Sequence, residues 1–333
     1  MPATETAQSP RALPFLTQAF APLTCEVEAV NEDGERQLVS IPAERALTVY
    51  VDKRELVTLM TLGAAPELLV LGYLRNQRLV RDAADIVSIT VDWEVGAAAV
   101  KTHAGIEDIE EKTARRVVTT GCGQGSVFGG LMDEVDDIRL PENVCITQGQ
   151  LYALTNTIRL KETTYKSAGS VHACALFKLT QGDPEMLLFV EDVGRHNALD
   201  TIAGWMWMNM APTLPTACGS LPPEGAGLAR GGPSLAALAP TLPNALDAPD
   251  TTDGLVFYTT GRLTSEMVIK SAQMGVPIVV SRSGITQMGH QVAQSVGLCA
   301  IGRALNKRFL CFSAPSRLKL EPVTAPGVTQ AGG

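Results

Sequence analysis

The stretch Leu255-Val-Phe-Tyr-Thr-Thr-Gly-Arg-Leu-Thr-Ser-Glu-Met-Val-Ile-Lys-Ser-Ala-Gln-Met-Gly-Val-Pro-Ile-Val-Val-Ser281 decides the architecture. Leu255 to Thr259 is a short apolar run closed by Thr-Gly, which reads as a buried strand. Ser265 to Met274 carries a helical pattern ended by Gly275, and Pro277 to Ser281 is a second apolar run. A further helical pattern, Thr286 to Val296, ends at Gly297. Strand, helix, strand, helix requires a crossover between parallel strands, so this region predicts an α/β lobe with covering helices.

Upstream, Gly149 to Lys161 and Arg195 to Met208 read as helices, and Val171 to Thr180 and Met186 to Glu191 as strands joined by Gln181-Gly-Asp-Pro184. From Asn209 to Gly254 the chain holds prolines 212, 215, 222, 223, 233, 240, 243 and 249, a composition that resists packing and predicts a flexible insertion inside the lobe. Nearer the start, Arg45 to Val51 and Ile86 to Asp92 read as strands and Ala65 to Asn76 as a helix, a compact α+β unit. The expected organisation is a disordered N-terminus over 1–20, a small α+β lobe over 21–117, an α/β lobe over 118–320 interrupted by 209–254, and a disordered tail over 321–333.

With 333 residues, two lobes are the default. A hydrophobic fraction of 45% permits a core, and a net charge of −8 argues against broad binding to nucleic acid or to an anionic membrane. No basic segment feeds an apolar run at the N-terminus and no apolar run approaches the ~18 residues of a membrane span, so a cytoplasmic protein is expected. The seven cysteines (25, 122, 145, 174, 218, 299 and 311) form no Cys-x-x-Cys pair, which fits neither a disulfide framework nor a structural zinc site.

Two segments carry candidate chemistry. In Thr119-Thr-Gly-Cys-Gly-Gln-Gly-Ser126 the glycines enforce a loop and leave Cys122 sterically open; it is either a nucleophile, if a cation or helix start lowers its pKa, or an inert loop thiol. Cys145, Cys174, Cys299 and Cys311 lie in apolar runs and are expected in the core. In Glu191-Asp-Val-Gly-Arg-His-Asn197 a strand ends and a helix begins, so Gly194, Arg195, His196 and Asn197 could present donors to an anion. The alternative is local: Arg195 pairs with an acidic neighbour while Asn197 or Asp192 caps the helix. Gly261, Arg262, Thr264 and Ser265 repeat this geometry, which points to one crevice at the carboxyl ends of the strands. His172 lies in an apolar strand beside Gly169 and Ser170, a core histidine unless a bound group uses that space. No P-loop, dinucleotide fingerprint, His-Glu-x-x-His or zinc-deaminase signature is present.

Taken together, Glu191 to Asp200, Gly261-Arg262 followed by Thr264, Glu266, Met267, Val268 and Lys270, the Gly169/His172/Ala175 strand, and a cysteine after Thr119-Thr120 resemble the formate dehydrogenase accessory sulfurtransferase family, FdhD/NarQ. The resemblance runs from about Val27 to about Leu318, apart from the insertion. It implies a C-terminal three-layer, cytidine-deaminase-like α/β lobe without zinc, beside the small α+β lobe, and a homodimer. It implies that molybdenum or tungsten bis-molybdopterin guanine dinucleotide is bound as cargo, with GDP as a partial mimic. Sulfur would pass from a cysteine desulfurase to Cys122 as a persulfide and on to the cofactor destined for the catalytic subunit of a formate dehydrogenase. The segment Arg303, Ala304, Leu305, Asn306, Lys307 and Arg308 matches a basic family segment that would contribute to cofactor binding, although its aromatic residue is lost and its Arg is shifted. Ile285 stands where proline is usual. The family loop has a second cysteine where this chain has Gly125, so a non-enzymatic chaperone that binds the cofactor without using Cys122 is the competing reading, and a nucleotide-binding regulator a third.

Overall fold

The computed structural model describes residues 12–106, 117–118, 125–126, 135, 138–161, 163–210 and 254–321. Strands β1 (Phe15–Leu16), β4 (Arg45–Val51), β5 (Arg54–Thr61), β6 (Ile86–Asp92) and β7 (Ala97–Thr102) form one sheet in the order β1-β6-β7-β4-β5. Helix α1 (Pro66–Asn76) covers it, packing Leu69, Val70, Leu71 and Leu74 against Leu47, Val49, Ile86 and Ile89. The hairpin β2 (Thr24–Val30) and β3 (Arg36–Pro42) stands apart from that sheet. The ordered lobe starts earlier than residue 21, because Phe15 and Leu16 pair in parallel with Ser88 and Ile89, and Thr17 Oγ1 donates to Glu67 Oε1 at 2.7 Å. A two-residue strand has no periodicity to betray it.

Two short strands, β8 (Val117–Val118) and β9 (Gly125–Ser126), pair antiparallel, and Cys122, in the connection between them, lies outside the described residues. After β10 (Ile146–Thr147), helix α2 (Gln148–Leu160) begins with a capping box, Thr147 Oγ1 accepting from Gln150 N while the Gln150 side chain accepts from Thr147 N. A short helix α3 (Thr164–Ala168) precedes β11 (His172–Lys178) and β12 (Glu185–Asp192). Next come α4 (Arg195–Asn209), β13 (Leu255–Thr259), α5 (Ser265–Gln273), β14 (Ile278–Ser281), α6 (Gln287–Ser295), β15 (Cys299–Leu305), β16 (Arg308–Cys311) and β17 (Leu318–Lys319).

The second sheet runs β12-β11-β13-β14-β15-β16; β13 and β14 are parallel, as the alternation of strand and helix from Leu255 predicts, and β15 adds a third parallel strand that the sequence reading did not assign. Alternate residues serve opposite faces. Cys174, Leu176, Leu255, Phe257, Val279 and Ala300 pack under α4, α5 and α6. Ala173, Ala175, Phe177, Val256, Tyr258, Ile278, Val280, Cys299 and Ile301 pack against Leu151 and Leu154 of α2. The lobe is therefore three-layered. Among the described residues no helix is long and apolar enough to cross a membrane.

The lobes join where α1 crosses α4. A Cβ added to Gly72 would lie 1.6 Å from the Asp200 carbonyl oxygen, and one added to Gly204 would lie 2.0 Å from the Leu68 carbonyl oxygen. Only two glycines permit the backbones this approach. Gly72→Ala and Gly204→Ala each lower the free energy of unfolding by about 3 kcal/mol, read from the urea midpoint; an unchanged midpoint in both contradicts the close crossing.

Candidate functional site

Five chain segments meet at the carboxyl edge of the parallel strands. β12 runs out into Gly194-Arg195 and the start of α4, β13 into Thr260-Gly261-Arg262, β14 into Arg282-Ser283-Gly284, and β15 carries Arg303; antiparallel β11 enters beside them through Gly169, Ser170 and His172. Short hydrogen bonds fix these turns to one another. Ser281 Oγ donates to the Gly261 carbonyl at 2.7 Å, Ser283 Oγ to the Thr260 carbonyl at 2.9 Å, Arg282 N to the Thr259 carbonyl at 3.0 Å, and Arg303 N to the Ser283 carbonyl at 2.5 Å. Leu263 N donates to the Gly284 carbonyl at 2.9 Å and Thr286 N returns to the Leu263 carbonyl at 3.0 Å. Gly261 is bare because Arg195 crosses it: an added Cβ would lie 2.6 Å from Arg195 Cδ.

The resulting edge is cationic. Arg262, Arg282 and Arg303 are exposed at three successive parallel-strand exits, and Arg195 is buried behind them. Planar guanidiniums beside helix starts suit phosphate oxygens. The sequence reading found Arg195, Arg262 and Arg303 but missed Arg282. The signal was there: Ser281-Arg-Ser-Gly284 repeats the strand-then-Gly pattern of Thr259-Thr-Gly-Arg262.

Other expected residues divide differently. Gly194 is the N-cap of α4 and Thr264 that of α5, neither with a side-chain cap bond, and Ser265 is buried at the first turn of α5. Asn197 is turned inward: its Nδ2 donates to the Met60 carbonyl at 2.6 Å and to Asp192 Oδ1 at 2.9 Å, and it contacts the N-terminal lobe instead of a ligand. Asp192 accepts in addition from Thr61 Oγ1, Leu62 N and Gly194 N, so these two residues neither cap the helix, whose N-cap Gly194 has no side-chain cap bond, nor face a ligand; they bond chiefly to the other lobe. His196 is likewise buried, its Nδ1 3.6 Å from Glu266 Oε1. His172 is half-buried, facing Asp192 across the β11–β12 pair. The basic segment splits. Arg303 joins the crevice, Ala304 is buried, and Leu305, Asn306, Lys307 and Arg308 form the exposed tip of the β15–β16 hairpin, where Tyr152 Oη of α2 lies 3.3 Å from the Lys307 carbonyl. Cys174 and Cys299 are in the core as expected, whereas Cys145 and Cys311 are only partly covered because they sit where strands end.

A family model described as the FdhD/NarQ family matches residues 42–217 and 244–319. A protein of Bacillus subtilis named sulfur carrier protein FdhD is 28% identical over 298 residues, covering 86% of this chain and 94% of that protein. One of the same name from Geobacillus kaustophilus is 24% identical over 289 residues, with 87% and 92% covered. A crystal structure of a protein described as a formate dehydrogenase accessory protein from Desulfotalea psychrophila superposes with a TM-score of 0.61 at 20% identity, covering 89% of this chain and all of that one, which establishes the shared fold.

Burial dominates titration around the motif. It pushes the Asp192 carboxyl up to about 6 against its four donors, and lowers His172, with Arg195 adding to the effect. His196 falls to about 3 because burial outweighs the pull of Glu266, with Lys270, Arg195 and His172 adding to the effect of burial. A histidine held neutral in the fold but free to protonate when unfolded costs stability as pH falls below its unfolded value of about 6.5. Relative to His196→Gln, the unaltered protein should lose about 1.4 kcal/mol per pH unit between pH 6 and 4. Parallel stability curves for the two, from urea unfolding, would contradict this.

Proposed function

The chain belongs to the FdhD/NarQ family, and from that we propose that it carries sulfur for the maturation of a formate dehydrogenase. The cargo is molybdenum or tungsten bis-molybdopterin guanine dinucleotide, held at the carboxyl edge of the second sheet. The observation that carries this reading is the row of exposed arginines 262, 282 and 303 at consecutive strand exits, with Arg195 behind them, a set matched to several phosphate groups at once. An overall charge of −8 makes this local concentration of cations selective for an anion that fits, rather than for polyanions at large.

Cys122 is the sulfur carrier. The terminal sulfur of a cysteine desulfurase persulfide passes to the Cys122 thiolate, the donor leaving as its own thiolate, with no net oxidation. The work is cytoplasmic, and the protein acts as a homodimer. One feature favours a second reading. Gly125 stands where the family loop has a second cysteine, which fits a chaperone that shelters the cofactor without handling sulfur.

Cys122→Ala separates the two. In cells carrying only that variant, formate dehydrogenase activity is lost if Cys122 carries sulfur and retained in full if the protein is a chaperone. Arg282→Ala and Arg262→Ala each weaken GDP binding about tenfold by calorimetry, the loss of one charge-assisted contact; unchanged affinity in both removes the cargo from this edge.

A further inference from the structure

Away from the arginine edge, at the other end of the second sheet, three thiols gather. Cys299 opens β15 and Cys311 closes β16, and the register Ile301↔Cys311 puts both side chains on one face as diagonal neighbours. Their Sγ atoms are 3.9 Å apart. Cys145, whose Sγ lies 3.7 Å from the Ser316 carbonyl, is near enough to Cys299 to oppose its ionisation. Cys299 is fully buried and Cys311 half-buried, so one of the pair faces reagents and the other stands behind it. Among the described residues no group of three or more His, Cys, Asp or Glu is placed to hold a metal ion, so the pair is read as thiols. Along β15, Arg303 lies four residues beyond Cys299, roughly 13 Å at strand rise, which separates the pair from the cargo edge.

We propose that Cys299 and Cys311 form a redox-active dithiol, a second thiol site distinct from Cys122, that exchanges with low-molecular-weight disulfides of the glutathione class. Bond formation needs the sulfurs to close from 3.9 Å to about 2.05 Å. β16 permits it: it is a four-residue edge strand paired on one side only, and the register slips between Gly302 and Leu305. The roles follow from exposure. Cys311 is the half-buried thiol that a disulfide in solution can reach, whereas the shared hydrogen bond, together with burial behind Cys311, opposes ionisation of Cys299. Cys311 is therefore the attacking thiolate. It displaces one glutathione thiolate from the disulfide and is left as a mixed disulfide. Cys299 then attacks the Cys311 sulfur, gives up its proton and releases the second glutathione as thiol. The two cysteines lose two electrons together and the glutathione disulfide gains them.

Tryptic cleavage separates the partners, since Cys299 falls in 283–303, Cys311 in 309–317 and Cys145 in 140–159. Full-length protein is incubated with oxidised glutathione at pH 7, remaining thiols are alkylated, and the unreduced digest is weighed by mass spectrometry. The expected product is 283–303 joined to 309–317 with the loss of two hydrogens. Cys299→Ala should instead leave 309–317 carrying one glutathione, and Cys145→Ser should leave the linked pair unchanged. The proposal is overturned if the unaltered protein yields both peptides alkylated, Cys311 only as a glutathione adduct, or 283–303 joined to 140–159.

Discussion

A buried ammonium holds the two lobes in one structure. Lys270 has no exposed surface, and its Nζ lies 3.0 Å from Asp200 Oδ2 and 3.3 Å from Glu266 Oε1. Burial alone would pull this lysine down, but the two carboxylates outweigh it and hold the ammonium charged. Asp200 Oδ1 in turn accepts from Asn76 Nδ2 at 2.7 Å, so one charge cluster ties α1 of the first lobe to α4 and α5 of the second. Removing either partner would leave a charge uncompensated in the interior, which costs several kcal/mol. The arginine edge depends on it: the same two helices begin at Arg195 and Ser265, and their starting points fix where the cations stand.

This cluster also changes how the segment Glu191 to Asp200 is understood. Its polar residues look alike in sequence but serve two purposes. Arg195 lies behind the cationic edge, while Asp192, Asn197 and Asp200 bond to Thr61, Met60 and Asn76 of the other lobe. No spacing rule distinguishes them, because the deciding partner is more than a hundred residues away. The first two parallel strands, β13 and β14, were legible because each is a continuous apolar run bounded by turn residues. β15 and β16 were not, since Arg303, Asn306, Lys307 and Arg308 mask the hairpin with charge, and β1 and β17 are too short for any period. Arg282 escaped because one arginine after a strand is unremarkable until the fold sets it beside two others.

Cysteine chemistry divides along the sheet in the same way as charge. Cys299 and Cys311 lie at the end of the sheet away from the arginines, on the face covered by α2. Cys174 lies at the arginine end, its Sγ 3.8 Å from the Arg195 carbonyl and 3.4 Å from Thr259 Oγ1, and is fully buried with its thiol pushed up to about 12 by burial. Beside the arginines the sheet therefore holds a thiol that burial keeps protonated and unreactive.

The segment that the family match skips, 218–243, lies within 211–253, which leaves the described fold at Met210 and returns at Gly254. Both attachment points sit at the sheet edge farthest from the arginines: α4 starts at Arg195 and runs away from them to Met210, and Gly254 precedes β13, its carbonyl accepting from Leu179 N at 2.7 Å. The chain between these two points therefore leaves and rejoins the described fold away from the arginine edge. The same place offers an engineer a position for a tag or fluorophore away from the exposed arginines.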